Sequence, residues 1–175
     1  MKQLILMRHA TAGEAETDAA RPLRPSGHVE ARRVGVALSA QRGDFTPDAV
    51  LCSSALRARQ TYQGLREGFP ALTEADFQDR LYLISAGALL GVLQDLPEAC
   101  ACALVIAHEP GLSDAVSLLA ADASPDVQAR AVRGMAPGAI AMLRFATARW
   151  AELAPASGEL AEFLRPADLT AATID

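Results

Sequence analysis

The chain has 175 residues, 51% of them apolar and 21% charged, with 16 Lys and Arg against 21 Asp and Glu for a formal charge of −5. That length and balance suit one globular domain that buries its own core. They also argue against nucleic acid as a partner, because the basic residues are spread along the chain and form no tail or block. No run approaches the roughly eighteen apolar residues of a membrane span. The apolar stretch behind Met1-Lys2-Gln3 is too short for a signal peptide. The three cysteines, Cys52, Cys100 and Cys102, have neither disulfide-framework nor zinc spacing and read as small core side chains in a reducing compartment. A cytoplasmic protein with no cofactor and no metal is expected, binding neither nucleic acid nor a membrane.

In chain order, residues 3–7 predict a buried strand, ending in Arg8-His9. Residues 12–25 are polar and predict a loop. Pro25-Ser26-Gly27 then opens a helix over 27–41, with Gly43 after its end. A strand over 49–52 leads into a helix over 55–67, with Ser54 as its cap and Gly68 behind it. A helix over 86–96 is stopped by Pro97, a continuous apolar strand follows at 103–107, and a further helix covers 112–121. Residues 121–137 predict a short helix or a lid-like loop. Strands over 139–145 and 149–153 would pair as a hairpin around Ala146-Thr147-Ala148. Residues 1–155 thus form a single domain, and 156–175 a C-terminal tail packed on the surface or partly disordered. Short strands alternating with helices give an α/β fold, a three-layer α/β/α sandwich.

In such a sheet, ligands bind outside the C-terminal strand ends. Arg8 and His9 sit at one such end, His108 at another, and Arg57 one turn into the helix after a third. Guanidinium offers a rigid fork of donors for phosphate oxygens, and neutral imidazole is a nucleophile. A phosphoryl group held by arginines and attacked by a histidine suits this set. The turn after His108, Glu109-Pro110-Gly111, opens a helix whose first N–H groups could face an anion. His28, in the first turn of a helix, and Arg59, on the other side of its helix from Arg57 and Thr61, read as surface residues.

The strand ending in Arg8-His9, the segment Ser53-Ser54-x-x-Arg57-Ala58-x-x-Thr61 and the later His108 resemble the histidine phosphatase superfamily. Within it, Asp18-Ala19-Ala20-Arg21-Pro22-Leu23 followed by Gly27 resembles the bacterial phosphohistidine phosphatases of the SixA type. The resemblance implies a mostly parallel, phosphoglycerate-mutase-like sheet, with His9 the residue phosphorylated. Arg8, Arg57, His108 and Arg21 would bind the phosphate. Ala10 stands where the family usually has glycine. The short stretch from Arg57 to His108 leaves no room for a large cap, so the site should be open. Asp18 and Glu109 are the two candidates for a general acid.

The implied activity is hydrolysis of phosphohistidine on a protein, such as a phosphorelay or carrier domain. Imidazole leaves from a nitrogen of near-neutral pKa and needs less protonation than an alkoxide. The alternatives are a small-molecule phosphomonoesterase acting on a sugar or nucleotide phosphate, and a catalytically inactive phosphate-binding regulatory domain. A phosphate or sulfate ion from the medium is expected in the pocket.

Overall fold

The computed structural model describes residues 1–40 and 45–169. Gln41 and Gly43, assigned above to the end of the first helix, and the last six residues of the tail lie outside the described residues.

The chain runs β1 (Lys2–Arg8), α1 (Pro25–Ala40), β2 (Ala49–Ser53), α2 (Leu56–Gly68), β3 (Ala75–Gln78), α3 (Ala86–Gln94), β4 (Cys102–Ala107), α4 (Gly111–Leu119), β5 (Ala120–Ala123), α5 (Pro125–Ala131), β6 (Ile140–Phe145) and β7 (Gly158–Leu164). One seven-stranded sheet has the order β3-β2-β4-β1-β6-β7-β5. Only β6 runs against the others, pairing antiparallel with β1 and β7. The central strands β1 and β4 are almost wholly buried, which is why they read as unbroken apolar runs.

Strand alternation divides those side chains between two cores. Leu4, Leu6, Val105 and Ala107 pack on one face with Leu89 and Leu93 of α3 and Leu112, Ala115 and Leu119 of α4. Ile5, Met7, Leu104 and Ile106 pack on the other with Val34 and Leu38 of α1 and Tyr62 and Leu65 of α2. The result is the three-layer α/β/α sandwich. All three cysteines are buried and unpaired, and burial pushes the Cys102 thiol up to about 12.

Four details differ from the sequence reading. Residues 149–153 are no strand: Trp150–Glu152 is a 3-10 turn. Trp150 and Leu153, three apart and both buried, have turn spacing, and the Trp150 indole N–H donates to the Cys100 carbonyl at 2.7 Å. The partner of β6 is instead β7, so 158–164 is part of the sheet and not a surface tail. Its register shifts between Met142 and Leu143, which puts Leu160 and Phe163 into one core although they are three apart. That bulge hides the period of two from the sequence. Ser54 does not cap α2; Ala55 holds the N-cap position and no side-chain cap bond forms. Residues 121–137 contain the end of an edge strand, β5, and the short helix α5, whose N-cap Ser124 accepts from the Val127 amide.

Candidate active site

The strands deliver their polar ends to one place. β1 ends at Arg8, and the chain stays in the sheet for one more residue, the His9 amide donating to the Ala107 carbonyl at 3.1 Å. The Gly138 amide donates to the His9 carbonyl at 3.1 Å from the other side. The next amide, Ala10, donates to Thr61 Oγ1 at 3.0 Å, and that hydroxyl donates to the Arg57 carbonyl at 2.7 Å. Thr61 therefore ties the turn after His9 to the helix that carries Arg57. Ala10 is fully buried and does not adopt a positive φ, so its backbone needs no glycine.

His9 and His108 lie with ring centroids 5.1 Å apart. His9 Nδ1 is 2.8 Å from the Ala10 carbonyl, an acceptor, so Nδ1 carries the proton. Nε2 is then the lone-pair nitrogen, and Arg57 Nε donates to it at 3.1 Å. Burial is the main cause that pushes His9 down to about 4, with the charges of Arg57, Arg8 and Arg21 adding to it. Burial likewise pushes His108 down to about 3, with His9 and Arg57 contributing. Both imidazoles are neutral at pH 7. His108 Nε2 is 2.8 Å from Ser53 Oγ, while its buried Nδ1 has no partner.

Arg57 is buried at the start of α2. Its NH1 donates to the Asp18 carbonyl at 2.6 Å and its NH2 to Asp18 Oδ2 at 2.9 Å. Asp18 also accepts from Tyr82 at 2.5 Å and from Arg21 NH1 at 3.1 Å. The Tyr82 hydroxyl, then Arg57 and Arg21, hold the Asp18 carboxyl far below the usual carboxylate range. It is ionised at neutral pH and has no proton to give, so this geometry does not support Asp18 as a general acid. Arg21 spends its Nε on the Gly13 carbonyl at 2.7 Å and braces the loop; none of its hydrogen bonds reaches the histidines. Arg8 donates from NH1 to the Met135 carbonyl at 2.8 Å, and its buried Nε is without a partner. Burial lowers its pKa while the neighbouring Glu109 opposes that. Glu109 Oε1 is itself buried and without a partner.

The structure thus gathers Arg8, His9, Arg57 and His108 and sets Asp18, Arg21 and Glu109 around them. His28 is exposed, and Arg59 lies over the Phe77 ring at 4.6 Å, away from the histidines. Tyr82 is a member that the sequence reading missed. Its ring meets His108 edge-on at 5.4 Å while its hydroxyl holds Asp18. It lies in the connection between β3 and α3, where Leu81-Tyr82-Leu83 reads as ordinary apolar sequence. Among the described residues, no group of three or more His, Cys, Asp or Glu is placed to hold a metal ion.

The model of the histidine phosphatase superfamily (branch 1) matches residues 4–136. The chain belongs to this superfamily. An uncharacterized protein of Mycobacterium tuberculosis is 34% identical over 164 residues, which cover 91% of this chain and 99% of the relative. A structure from Nakamurella multipartitia, provisionally named a phosphohistidine phosphatase SixA, superposes with a TM-score of 0.82 at 30% identity, covering 94% of this chain and 96% of that one. The protein histidine phosphatase SixA in complex with tungstate superposes with a TM-score of 0.76 at 26% identity, covering 96% and 99%. The sheet is accordingly phosphoglycerate-mutase-like, as is usual for superfamily members.

Proposed function

We propose that this superfamily member hydrolyses phosphohistidine displayed on a protein, through a phosphoryl intermediate on His9 Nε2. The observation that carries the reading is the state of His9: Nδ1 is engaged by the Ala10 carbonyl, and Nε2 is a neutral lone pair beside the Arg57 guanidinium. In the first step that lone pair forms the N–P bond. The P–N bond of the substrate breaks, and the departing imidazole keeps its electron pair and takes a proton from solvent. In the second step water attacks phosphorus, the P–Nε2 bond breaks with its electron pair returning to His9, and a proton of the water passes to solvent, which leaves inorganic phosphate and neutral His9.

Arg57 and Arg8 stabilise the charge on the equatorial oxygens, where phosphoryl transfer most needs help. Arg57 must exchange both Asp18 and His9 Nε2 for those oxygens as the substrate arrives, which frees the lone pair for attack. A neutral His108 can donate from Nδ1 if the Ser53 hydroxyl donates to its Nε2, and the buried, unpartnered Nδ1 is the donor such an anion would satisfy. Arg21, through its charge and its hold on Asp18, supports the clamp without touching the phosphoryl group. That a SixA relative forms a complex with tungstate supports the reading, and a phosphate or sulfate ion is the expected ligand here.

Two features favour phosphohistidine over an ester. The stretch between α2 and β4 is used up by β3, a 3-10 turn and α3, which leaves no segment there for a large cap over the strand ends. Asp18, held ionised, supplies no proton for an alkoxide. A second reading, a small-molecule phosphomonoesterase, is favoured by one observation, the buried Glu109 Oε1 without a hydrogen-bond partner, on a carboxyl whose charge acts on Arg8.

The deciding experiment compares kcat/KM on a phosphohistidine-bearing carrier domain with that on sugar and nucleotide monophosphates. An ester that forgoes acid catalysis loses about 10²–10⁴-fold, so the phosphohistidine substrate should lead by at least about a hundredfold. A sugar phosphate turned over faster than the carrier domain would establish the second reading instead.

A further inference from the structure

Beside Arg8, on the side of β1 that faces the 131–139 segment, lies a recess of about 400 Å³. Arg8, Glu109, Arg133, Met135 and Arg165 line it. Its walls are fixed to the catalytic strand. The Met135 carbonyl accepts from Arg8, the Met135 amide donates to Ser113 Oγ at 3.2 Å, and the Gly138 amide holds the His9 carbonyl. Gly138 has a φ of +73°, and a Cβ there would lie 2.7 Å from Pro166 Cγ. That close approach seats Pro166, and with it the neighbouring Arg165, against the segment. Arg165 is steadied further by its NH2 donating to the Arg130 carbonyl at 2.8 Å and by the Phe163 ring, 6.0 Å from its guanidinium carbon.

The charge in this recess is not balanced. Three arginines and one acid, Glu109, line it, and the charge of Glu109 acts on Arg8. Asp168, the next acid along the chain, turns back to accept from the Arg165 backbone amide at 3.0 Å. Among the described residues, neither Arg133 nor Arg165 has an ion pair. A chain of net charge −5 has acids enough to pair these arginines, yet leaves both open next to a residue of the phosphoryl clamp.

We propose that this recess is an anion subsite: it takes a second negative group, a carboxylate or a phosphate, carried by the substrate beside the phosphoryl group bound for His9. Arg133 and Arg165 read that group, and Arg8 joins the subsite to the clamp. The inference rests on the phosphoryl-transfer reading above, and it makes these two arginines specificity determinants rather than catalytic residues. The same chemistry could be an acidic side chain flanking a phosphohistidine or a second phosphate on a small molecule.

Two arms separate these sources. In the first, phosphohistidine peptides with glutamate or glutamine on either side of the phosphorylated residue are compared by kcat/KM. In the second, calorimetry compares the affinities of pyrophosphate and orthophosphate, which requires no turnover. Each arm uses wild type, Arg133→Ala/Arg165→Ala, and Arg149→Ala, a pair-forming arginine after β6 at the opposite end of the strands.

For two solvent-touching arginines, the preference of wild type for the doubly anionic ligand should drop about tenfold in the double variant and hold in Arg149→Ala. It should also shrink as salt rises. A drop in the peptide arm alone identifies a protein carboxylate, and one in the pyrophosphate arm alone a second phosphate. A preference that is the same in wild type and the double variant in both arms overturns the subsite. Orthophosphate that fails to bind wild type at all would instead overturn the phosphoryl-transfer reading.

Discussion

Mild acid should weaken this protein through its two site histidines. Burial pushes His9 down to about 4 and His108 to about 3, from an ordinary 6.5. In the unfolded chain both regain the ordinary value. Between the folded and unfolded values, the unfolded state therefore binds more protons than the folded one, and stability must rise with pH across that window. The contribution is whole above pH 6.5 and is lost as the pH falls through it towards 4. From pH 6 to pH 5 each histidine passes to almost full protonation in the unfolded chain while staying nearly neutral in the fold. Each then withdraws a little over 1 kcal/mol, about 2 kcal/mol for the pair. Asp18 acts in the same direction, but its contribution fades only below this window.

Urea unfolding at pH 7, 6 and 5 measures the effect directly, with a constant m-value as the check that the same transition is compared. In His9→Asn about half of the pH dependence should vanish. A wild type equally stable at pH 6 and pH 5, or a variant with the full wild-type slope, would refute the reasoning that both rings are held neutral by burial.

Asp18→Asn should tighten orthophosphate binding about three- to tenfold, because an exposed carboxylate no longer competes for the Arg57 donors. It should change phosphohistidine and ester hydrolysis by the same factor; calorimetry and paired kinetics check this, and a loss confined to the ester would restore Asp18 as the acid. Gly27→Ala would put a methyl group 2.3 Å from the Thr11 carbonyl oxygen, at the crossing of α1 and the turn after His9. The helix must move off, at a cost of about 2–3 kcal/mol, and thermal unfolding should show a Tm several degrees lower. An unchanged Tm would mean that this crossing is looser than the distance implies.

What the sequence makes legible here follows from burial. β1 and β4 are covered on both faces, so they stand out as apolar runs, and the polar residues that interrupt them, Arg8-His9 and His108, are conspicuous for the same reason. The edge strand β3 has no fully buried residue and carries no such signal. β7 was hidden by its bulge. The role of Asp18 is beyond local reading because two of its three partners, Arg57 and Tyr82, come from distant parts of the chain. A carboxyl near the strand ends suggests an acid; only the three donors around it turn it into a fixed anion. Tyr82 was missed because its value lies wholly in long-range contacts with Asp18 and His108.

The central claim is that His9 Nε2 carries the phosphoryl group. Rapid mixing with labelled phosphohistidine substrate, an alkaline quench that preserves phosphohistidine, and peptide mapping test it most directly. Wild type should yield one acid-labile, alkali-stable label on His9, and His9→Ala should yield neither label nor turnover. Label retained in His9→Ala, or a label on His108 in wild type, would contradict the account.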